Sequence, residues 1–424
     1  MIHKQTGEKF LNEVLIIGAG PAGSVAAAML VQKGYRVLVL EKQLFPRFSV
    51  GESLLAQSLG LIEQAGMLEA VQAAGFQYKN GAAFAHNGRY STFNFAEKSS
   101  PGFGYTYQVP RGEFDHLLIK EAARMGAEVR FEVEIIAADF SGERPRITAR
   151  GKDGSEELHQ PRFVLDASGF GRVLPRLLGL ESPSPFPTRS ALFTQVYDGI
   201  PSGAFDRQKI RVTTHPKFRD VWFWLIPFSN GKASIGVVAR DEFLQQYPGS
   251  NEDRLWALHR EDPELSALLA NAKPALPVGE LRGYAANVSR MWGPGYALLG
   301  NAAEFLDPVF SSGVTIAMKS ANMAAGLLDR QFRGETVDWE AEFAAPLKLG
   351  VETFRGFVEG WYDGSLQDVI YYPRQDPKIR RTICSVLAGY AWDTSNPYVG
   401  RAKQRLHTLA QLCRQGEAQA DSAS

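Results

Sequence analysis

The chain has 424 residues, in which 46 Lys and Arg balance 46 Asp and Glu, so the formal net charge is zero. This balance argues against a nucleic-acid or acidic-membrane partner held by net charge, and 45% hydrophobic and 22% charged residues are typical of a soluble globular protein with two or three domains. The only cysteines, Cys384 and Cys413, are interpreted as reduced thiols, so we expect a cytoplasmic protein.

The first predicted elements form a βαβ unit. Residues 14–17 (VLII) are a short apolar run ending at a glycine cluster, an Ala-rich helix follows, and VLVL at 37–40 is the second strand. Although residues 14–31 are strongly apolar, four of these 18 residues are Gly or Pro. The segment therefore does not predict a membrane-spanning helix or a secretory signal.

The turn between the first strand and the helix has the spacing G-x-G-x-x-G, with Gly18, Gly20 and Gly23. The first glycine allows the tight turn, the second lets a pyrophosphate approach the backbone, and the third lets helix and strand pack closely. The pyrophosphate would then lie at the helix N-terminus. Glu41 ends the next strand, 23 residues after Gly18, where a carboxylate can bind ribose hydroxyls. We therefore predict a dinucleotide site.

Further along the chain, two more apolar runs end in small residues, at 163–169 and 295–308, and the latter leads into an Ala-rich helix pattern at 313–328. These runs could be neighbours of the first strand in a parallel sheet whose carboxyl ends line one crevice. Residues 190–240 are instead rich in short β runs separated by turns, which indicates an inserted antiparallel sheet. From about residue 320 the pattern becomes helical, and we expect the polar tail 416–424 to be disordered.

Four further segments resemble motifs of the FAD-dependent oxidoreductases of the aromatic-hydroxylase type, and the likeness covers nearly all of residues 12–330: GES at 51–53, PRGEFDHLL at 110–118, VLDASGFG at 164–171 and GNAAEFLDPVFSSG at 300–313. The resemblance implies that FAD is the cofactor. Asn301 stands where that superfamily usually has an acidic residue at the ribityl chain, and an amide there can still hydrogen-bond. The cofactor-binding residues implied are Gly18, Gly20, Pro21, Ala22, Gly23, Glu41, Arg47, Gly51, Ser53, Arg111, Asp166, Asn301, Pro308, Gly313 and Val314.

The same resemblance implies an α/β fold with a discontinuous Rossmann-like FAD domain, an inserted antiparallel-sheet substrate domain and a helical C-terminal region. We predict the FAD domain at 1–76, 106–185 and 279–330. The substrate domain would comprise a segment at 77–105 and the main part at 186–278, and the helical region would be 331–424.

Residues 222–227, Trp-Phe-Trp-Leu-Ile-Pro, resemble the W-x-W-x-I-P signature of flavin-dependent halogenases. The F-x-x-P-x-x-S-x-G pattern of that family is matched at 305–313, and the segment 75–84 is similar to the one that carries its essential lysine, here Lys79. The likeness is greatest to halogenases of phenols or pyrroles, often bound to a carrier protein. Phe310 stands where the tryptophan halogenases have an active-site glutamate.

This resemblance implies roles that elementary chemistry supports. Backbone N–H groups near Ser312 and Gly313, at a helix start, could bind chloride or bromide, and the Lys79 ammonium could hold hypohalous acid and direct it at an aromatic carbon. Trp222, Trp224 and Phe310 would separate the organic substrate from the flavin, because alternate residues of a strand project to the same face. Without the resemblance, Lys79 would be read as a surface charge and the tryptophans as core residues.

The chain has one strand–GxGxxG–helix unit, so a halogenase would receive reduced FAD from a separate flavin reductase. Three alternatives stay open: an aromatic monooxygenase, which needs no halide; an ene reductase resembling the geranylgeranyl reductases; and a flavoprotein without enzymatic activity. The seven histidines show no metal-ligand spacing. Glu304 could contact substrate, and the aromatic, acidic segment 361–373 could form either a substrate lid or a dimer contact. Substrate identity and oligomeric state are not predicted.

Overall fold

The computed structural model describes residues 12–422, with side chains up to residue 419. The strands, in chain order, are β1 (Val14–Ile17), β2 (Val37–Glu41), β3 (Gln77–Lys79), β4 (Gly81–His86), β5 (Arg89–Asn94), β6 (Thr106–Gln108), β7 (Glu128–Phe131), β8 (Val133–Asp139), β9 (Arg146–Gly151), β10 (Glu156–His159), β11 (Phe163–Asp166), β12 (Glu181–Ser182), β13 (Arg189–Tyr197), β14 (Lys209–Thr214), β15 (Trp222–Pro227), β16 (Lys232–Arg240), β17 (Lys273–Pro274), β18 (Gly279–Arg282), β19 (Asn287–Val288), β20 (Trp292–Gly293) and β21 (Tyr296–Leu298).

The α-helices are α1 (Pro21–Gln32), α2 (Gln57–Gln64), α3 (Leu68–Ala73), α4 (Arg111–Arg124), α5 (Val173–Leu177), α6 (Asp241–Leu244), α7 (Asn251–His259), α8 (Pro263–Leu268), α9 (Ser312–Phe332), α10 (Ala345–Tyr362), α11 (Ser365–Tyr371), α12 (Pro377–Leu387) and α13 (Ala402–Ser422). Short 3-10 turns lie at Phe95–Glu97, Gly169–Gly171, Gly300–Ala302 and Pro308–Phe310, and one π-helical turn at Glu340–Ala344 precedes α10.

The first sheet has six strands in the order β20-β21-β11-β1-β2-β7. Its five strands from β21 to β7 are parallel, and β20 is an antiparallel edge strand. Ile17 pairs with Asp166 and with Leu40, while Asp166 pairs with Leu298, so the strands end at one level. This confirms the prediction that the three apolar runs neighbour one another and open at a common crevice.

The second sheet has eight strands in the order β17-β13-β16-β15-β14-β4-β5, with β18 also paired to β13. We predicted an antiparallel sheet, and all of its pairs are antiparallel except β14 with β4, which are parallel. These two strands come from chain segments more than 100 residues apart, so no hairpin turn requires them to run in opposite directions. The remaining strands form three small sheets: β3 with β6, β8 to β10, and β12 with β19.

The run of apolar residues in β15 is explained by burial on both faces. Trp222 and Trp224 belong to the main hydrophobic cluster, which spans the six-stranded sheet, the inner face of the eight-stranded sheet and the C-terminal helices. Phe223 and Leu225 point the other way, into a second cluster closed by α7 and α8. A strand that is covered on both faces has a continuous run of hydrophobic residues instead of an alternating pattern.

The C-terminal region is helical, as predicted, and packs onto the rest of the chain through buried α10 residues such as Phe354, Phe357 and Trp361. The expectation of a disordered tail is wrong for residues 416–422, which continue α13, while 423–424 lie outside the described residues. Arg414 and Glu417 of this helix form ion pairs with Asp368 and Arg89. Within the described part of the chain, no helix combines the length and apolarity needed to cross a bilayer.

Candidate active site

A cavity of about 720 Å³ opens where the carboxyl ends of the six-stranded sheet meet the inner face of the eight-stranded sheet. Most of the predicted cofactor-binding residues line it: Gly18, Gly20, Pro21, Ala22, Glu41, Arg47, Gly51, Ser53, Arg111, Asn301, Pro308, Gly313 and Val314. Two predicted residues, Gly23 and Asp166, lie behind the lining. The cavity therefore joins segments separated by almost 300 residues in the sequence.

The glycine turn after β1 shows why each glycine is needed. Gly18 has a φ of +97°, and a Cβ there would lie 2.7 Å from the carbonyl oxygen of Ala167. At Gly23 a Cβ would lie 2.0 Å from the carbonyl oxygen of Gly18, so this residue allows α1 to pack against the turn. At Gly20 the nearest atom would be Nη2 of Arg47 at 3.6 Å, which leaves the backbone open toward the cavity.

Glu41 is buried at the end of β2 with its carboxylate beside the glycine turn. One oxygen accepts a hydrogen bond from the Ala19 N–H at 2.8 Å, and the other accepts one from the Gln43 N–H at 2.9 Å. These bonds hold the carboxylate in place at the cavity wall, where it can still accept from sugar hydroxyls.

Arg111 connects α4 to the loop that follows β2. Its Nε and Nη2 donate to both carboxylate oxygens of Asp115, at 2.8 and 2.9 Å, and its Nη1 donates to the carbonyl of Val50 at 2.6 Å. Nη1 of Arg47 lies 3.4 Å from the same carboxylate. The Asp115 carboxylate therefore orients both predicted arginines at the cavity.

The third motif turns sharply before α9. Asp307 accepts a hydrogen bond from the Val309 N–H and caps the short turn 308–310, and Ser311 has a left-handed φ of +56°. The chain then enters α9, whose first turn presents Gly313 and Val314 to the cavity, while Ser312 is buried outside the lining. The N-termini of α1 and α9 thus both face the cavity, which favours bound anions.

Asp166 supports the loop after β11 rather than the cavity wall itself. Its two oxygens accept from the N–H groups of Ser168 and Leu174, at 2.9 and 2.7 Å, and complete burial raises the pKa of its carboxyl. Together the glycine cradle, the Glu41 carboxylate, the two arginines and the paired helix N-termini fit an extended dinucleotide such as FAD.

The substrate side of the cavity is aromatic. Trp222 and Trp224 lie side by side with ring centres 5.9 Å apart, and both line the cavity. Trp222 donates its indole N–H to the hydroxyl of Tyr362, and Trp224 donates to Ser234. Phe310, which we predicted as a third wall residue, packs instead against Phe357 and Trp361 of α10 and is not among the lining residues.

Lys79 is almost completely buried at the end of β3, with an exposed fraction of 1%. Its Nζ donates to the hydroxyl of Ser53 at 2.8 Å and to the carbonyl of Leu54 at 2.7 Å, and it lies 5.2 Å from the ring of Phe95. No carboxylate shares these contacts, and burial lowers the pKa of the amine to about 7. Lys79 is not a lining residue, but one hydrogen bond separates it from Ser53, which is.

Two other predicted segments lie away from the cavity. Glu304 is paired with Arg355 of α10, and burial raises the pKa of its carboxyl. None of the residues 361–373 lines the cavity: this segment forms the end of α10 and α11, where Tyr371 donates to the carbonyl of Ala85. Its aromatic residues therefore pack against the inner face of the eight-stranded sheet next to the cavity, without lining it. Among residues 12–422, no cluster of His, Cys, Asp or Glu could hold a metal ion.

Among the lining residues that sequence reasoning missed are Glu52, Phe193 and Tyr284. Glu52 lies between the predicted Gly51 and Ser53, so its position in that motif was an available signal. Phe193 stacks on Phe48 with ring centres 5.9 Å apart and near-parallel planes. Nothing in the sequence near Phe193 or Tyr284 distinguishes them from core aromatics.

Glu52 supports a prediction about pH. It accepts a hydrogen bond from Gln195 at 2.6 Å, and burial raises its pKa from 4.5 to about 7. The folded state therefore binds a proton more tightly than the unfolded state, so the stability that Glu52 contributes is present below pH 4.5 and is lost as the pH rises through 7. Glu52→Gln, which stays neutral, should gain up to about 3 kcal/mol of unfolding free energy relative to wild type between pH 4.5 and 8.

Urea unfolding of both proteins at pH 4.5 and 8 measures this difference. The exposed acid Glu63 provides the matched control, Glu63→Gln. If Glu52→Gln and wild type respond identically to pH, the carboxyl has the same pKa in the folded and the unfolded protein, which contradicts the prediction.

Comparison with known proteins agrees with this geometry. The family described as FAD binding domain matches residues 12–339. The chain is 28% identical to the 1H-pyrrole-2-carbonyl-[peptidyl-carrier protein] chlorinase of Pseudomonas fluorescens, with 89% of each chain covered. Among solved structures, a flavoprotein/dehydrogenase from Cytophaga hutchinsonii is 42% identical, with a TM-score of 0.93 over 96% of this chain and 99% of that one. The flavin-dependent brominase Bmp2 is 25% identical, with a TM-score of 0.80 over 97% of this chain and 100% of its own.

Proposed function

Because the chain belongs to the FAD-binding domain family, we propose that it is an FAD-dependent oxidoreductase that halogenates an electron-rich aromatic ring. The chlorinase and the brominase similar to it over nearly their full lengths support this assignment. The residues that line the dinucleotide half of the cavity would hold FAD, which, when bound and reduced, supplies the oxygen chemistry that converts halide to hypohalous acid. The substrate would occupy the half lined by Trp222 and Trp224.

The observation that carries the proposal is the buried amine of Lys79, which hydrogen-bonds to Ser53 and Leu54 but pairs with no carboxylate among the described residues. A monooxygenase that transfers oxygen directly to its substrate has no use for such a group. With a pKa of about 7, the amine is divided between its two forms near neutral pH and can accept or donate a hydrogen bond to hypohalous acid. Halogen then passes to the ring carbon, the carbon–hydrogen bond breaks, and the ring proton leaves with the hydroxyl as water. Ser312 and Gly313 would bind the halide before its oxidation.

The proposed partners follow from this chemistry. A separate flavin reductase would supply reduced FAD, chloride or bromide would be the co-substrate, and the phenolic or pyrrolic substrate would be free or tethered to a carrier protein. The Pseudomonas fluorescens relative is named as a chlorinase of a carrier-bound pyrrole, which supports a tethered substrate. Two free, buried cysteines, Cys384 and Cys413, are consistent with the reducing conditions of the cytoplasm.

A second candidate function involves no halide. The 42% identical protein is named a flavoprotein/dehydrogenase, which favours an FAD-dependent oxidation or reduction of carbon bonds, such as that of an ene reductase. In that reaction Lys79 would only anchor the loop that carries Ser53.

The test supplies the protein with FAD, a flavin reductase, NADH, oxygen and either bromide or chloride. Monochlorodimedone traps released hypohalous acid, and mass spectrometry follows products from resorcinol and from pyrrole-2-carboxylate. We expect halogenated products that disappear without halide, without oxygen or without the reductase. Hydroxylated products formed without halide would replace this function by that of a monooxygenase, and turnover that needs no oxygen would favour the dehydrogenase-like candidate.

A further inference from the structure

Arg189, the first residue of β13, is a buried cation whose donors are not used. Its exposed fraction is 4%, and its Nε is buried without a hydrogen-bond partner among the described residues. The contact the structure gives its guanidinium is the ring of Tyr362, whose centre lies 3.4 Å from Cζ. Removing a guanidinium from water without hydrogen-bond acceptors is strongly unfavourable, so an arginine held this way indicates a missing acceptor.

The position of Arg189 in its strand directs it toward the substrate side of the cavity. Alternate residues of a strand project to the same face, and Ala191 and Phe193, two and four positions further along β13, both line the cavity. Tyr362, on which Arg189 stacks, accepts a hydrogen bond from the cavity-lining Trp222 at 3.0 Å. Arg189 is not itself a lining residue, but the Tyr362 ring on which it stacks connects it to the aromatic wall.

The nearby carboxylate does not use these donors. Asp307 accepts from the hydroxyls of Tyr284 and Tyr362, at 3.0 and 2.8 Å, and from the Val309 N–H at 3.0 Å. It balances the charge of Arg189 across the Tyr362 ring without an ion pair between the two side chains. The guanidinium fork is thus left for a ligand that extends from the cavity past Trp222 and Tyr284, the two lining residues that hydrogen-bond to Tyr362 and Asp307.

We propose that Arg189 binds the carboxylate of a free aromatic acid, whose ring lies against the tryptophan wall. A guanidinium presents two parallel N–H donors that match the two oxygens of a carboxylate, whereas a carrier-bound thioester is uncharged at the corresponding atoms. The inference rests on the proposed function for the aromatic nature of the substrate, and it narrows that substrate to the acid rather than the thioester.

Binding to the FAD-loaded protein, without turnover, tests this. Isothermal titration compares pyrrole-2-carboxylate and 4-hydroxybenzoate with their neutral amides. We expect each acid to bind wild type at least about tenfold more tightly than its amide, which corresponds to about 1.4 kcal/mol. Arg189→Gln should remove this preference by weakening the binding of the acid and not that of the amide. Arg189→Lys should restore part of the preference. Unchanged FAD affinity and melting temperature show that the variants are folded.

The outcomes separate this inference from the proposed function. An acid preference that depends on Arg189, in a protein that halogenates nothing, supports the inference and contradicts the function. Halogenation with no preference for the acid, or a preference that survives in Arg189→Gln and Arg189→Lys, overturns the inference. Titration with bromide alone tests whether Arg189 binds halide. Bromide binding that is lost in Arg189→Gln, with no preference for the acid, would overturn the inference and make this a halide site.

Discussion

Lys79→Met is expected to lower aryl halogenation about 100- to 1,000-fold, the usual cost of removing one group that stabilises a transition state, while hypohalous acid is still produced. Among the described residues, the Nζ of Lys79 hydrogen-bonds to Ser53 and Leu54 and lies over the ring of Phe95, so the substitution removes no contact with the glycine turn or the arginines. Methionine has a similar volume and no charge to bury, and it should therefore leave the folded state intact.

Two assays on the same protein make this measurable. Halogenation of resorcinol reports transfer to a ring, and halogenation of monochlorodimedone reports hypohalous acid that escapes into solution. The loss should appear in the first assay and not in the second. Lys120→Met, at an exposed lysine of α4, is the matched control. Equal losses in both assays would mean that Lys79 acts before hypohalous acid forms, and no loss in either would reduce Lys79 to a structural residue.

The same added methyl group should affect FAD binding at Gly20 and protein stability at Gly23. Gly20→Ala is expected to leave the apoprotein as stable as wild type, because its Cβ meets only Arg47 Nη2 at 3.6 Å, but to weaken FAD binding about tenfold to a hundredfold by occupying the open side of the cradle. Gly23→Ala is expected to destabilise the protein itself by about 1–3 kcal/mol or more, because its Cβ would lie 2.0 Å from the Gly18 carbonyl oxygen.

Thermal unfolding of the apoproteins and fluorescence titration with FAD separate the two effects. Gly326→Ala in α9 is the control, because a Cβ there meets nothing within 4 Å and should change neither quantity for the worse. If Gly20→Ala binds FAD as wild type does, the pyrophosphate does not approach the backbone at this glycine. A Gly23→Ala protein of normal stability would show that α1 can move away from the turn.

Much of the fold could be predicted because its signals are local. The strand–glycine–helix unit at 14–32 is specified within twenty residues, and each of the three parallel strands ends in small residues at the same level. Trp222 and Trp224 are two positions apart in β15, so both were expected on one face of the strand, where the structure has them. The inserted sheet was also readable, but the parallel pairing of β14 with β4 joins distant segments and left no pattern in either of them.

Short spacings in the sequence were enough to predict the dinucleotide turn and the Glu41 carboxylate, and the resemblance of short motifs pointed to the two arginines and to FAD. Which side chains lose contact with water, and which remain without partners, became visible in the folded chain alone. The tertiary structure buried Lys79 and Arg189, moved Phe310 against α10 and brought Glu52 to the cavity. Burial and pairing depend on which remote segments meet, and this information is spread over the whole chain rather than written near any one residue.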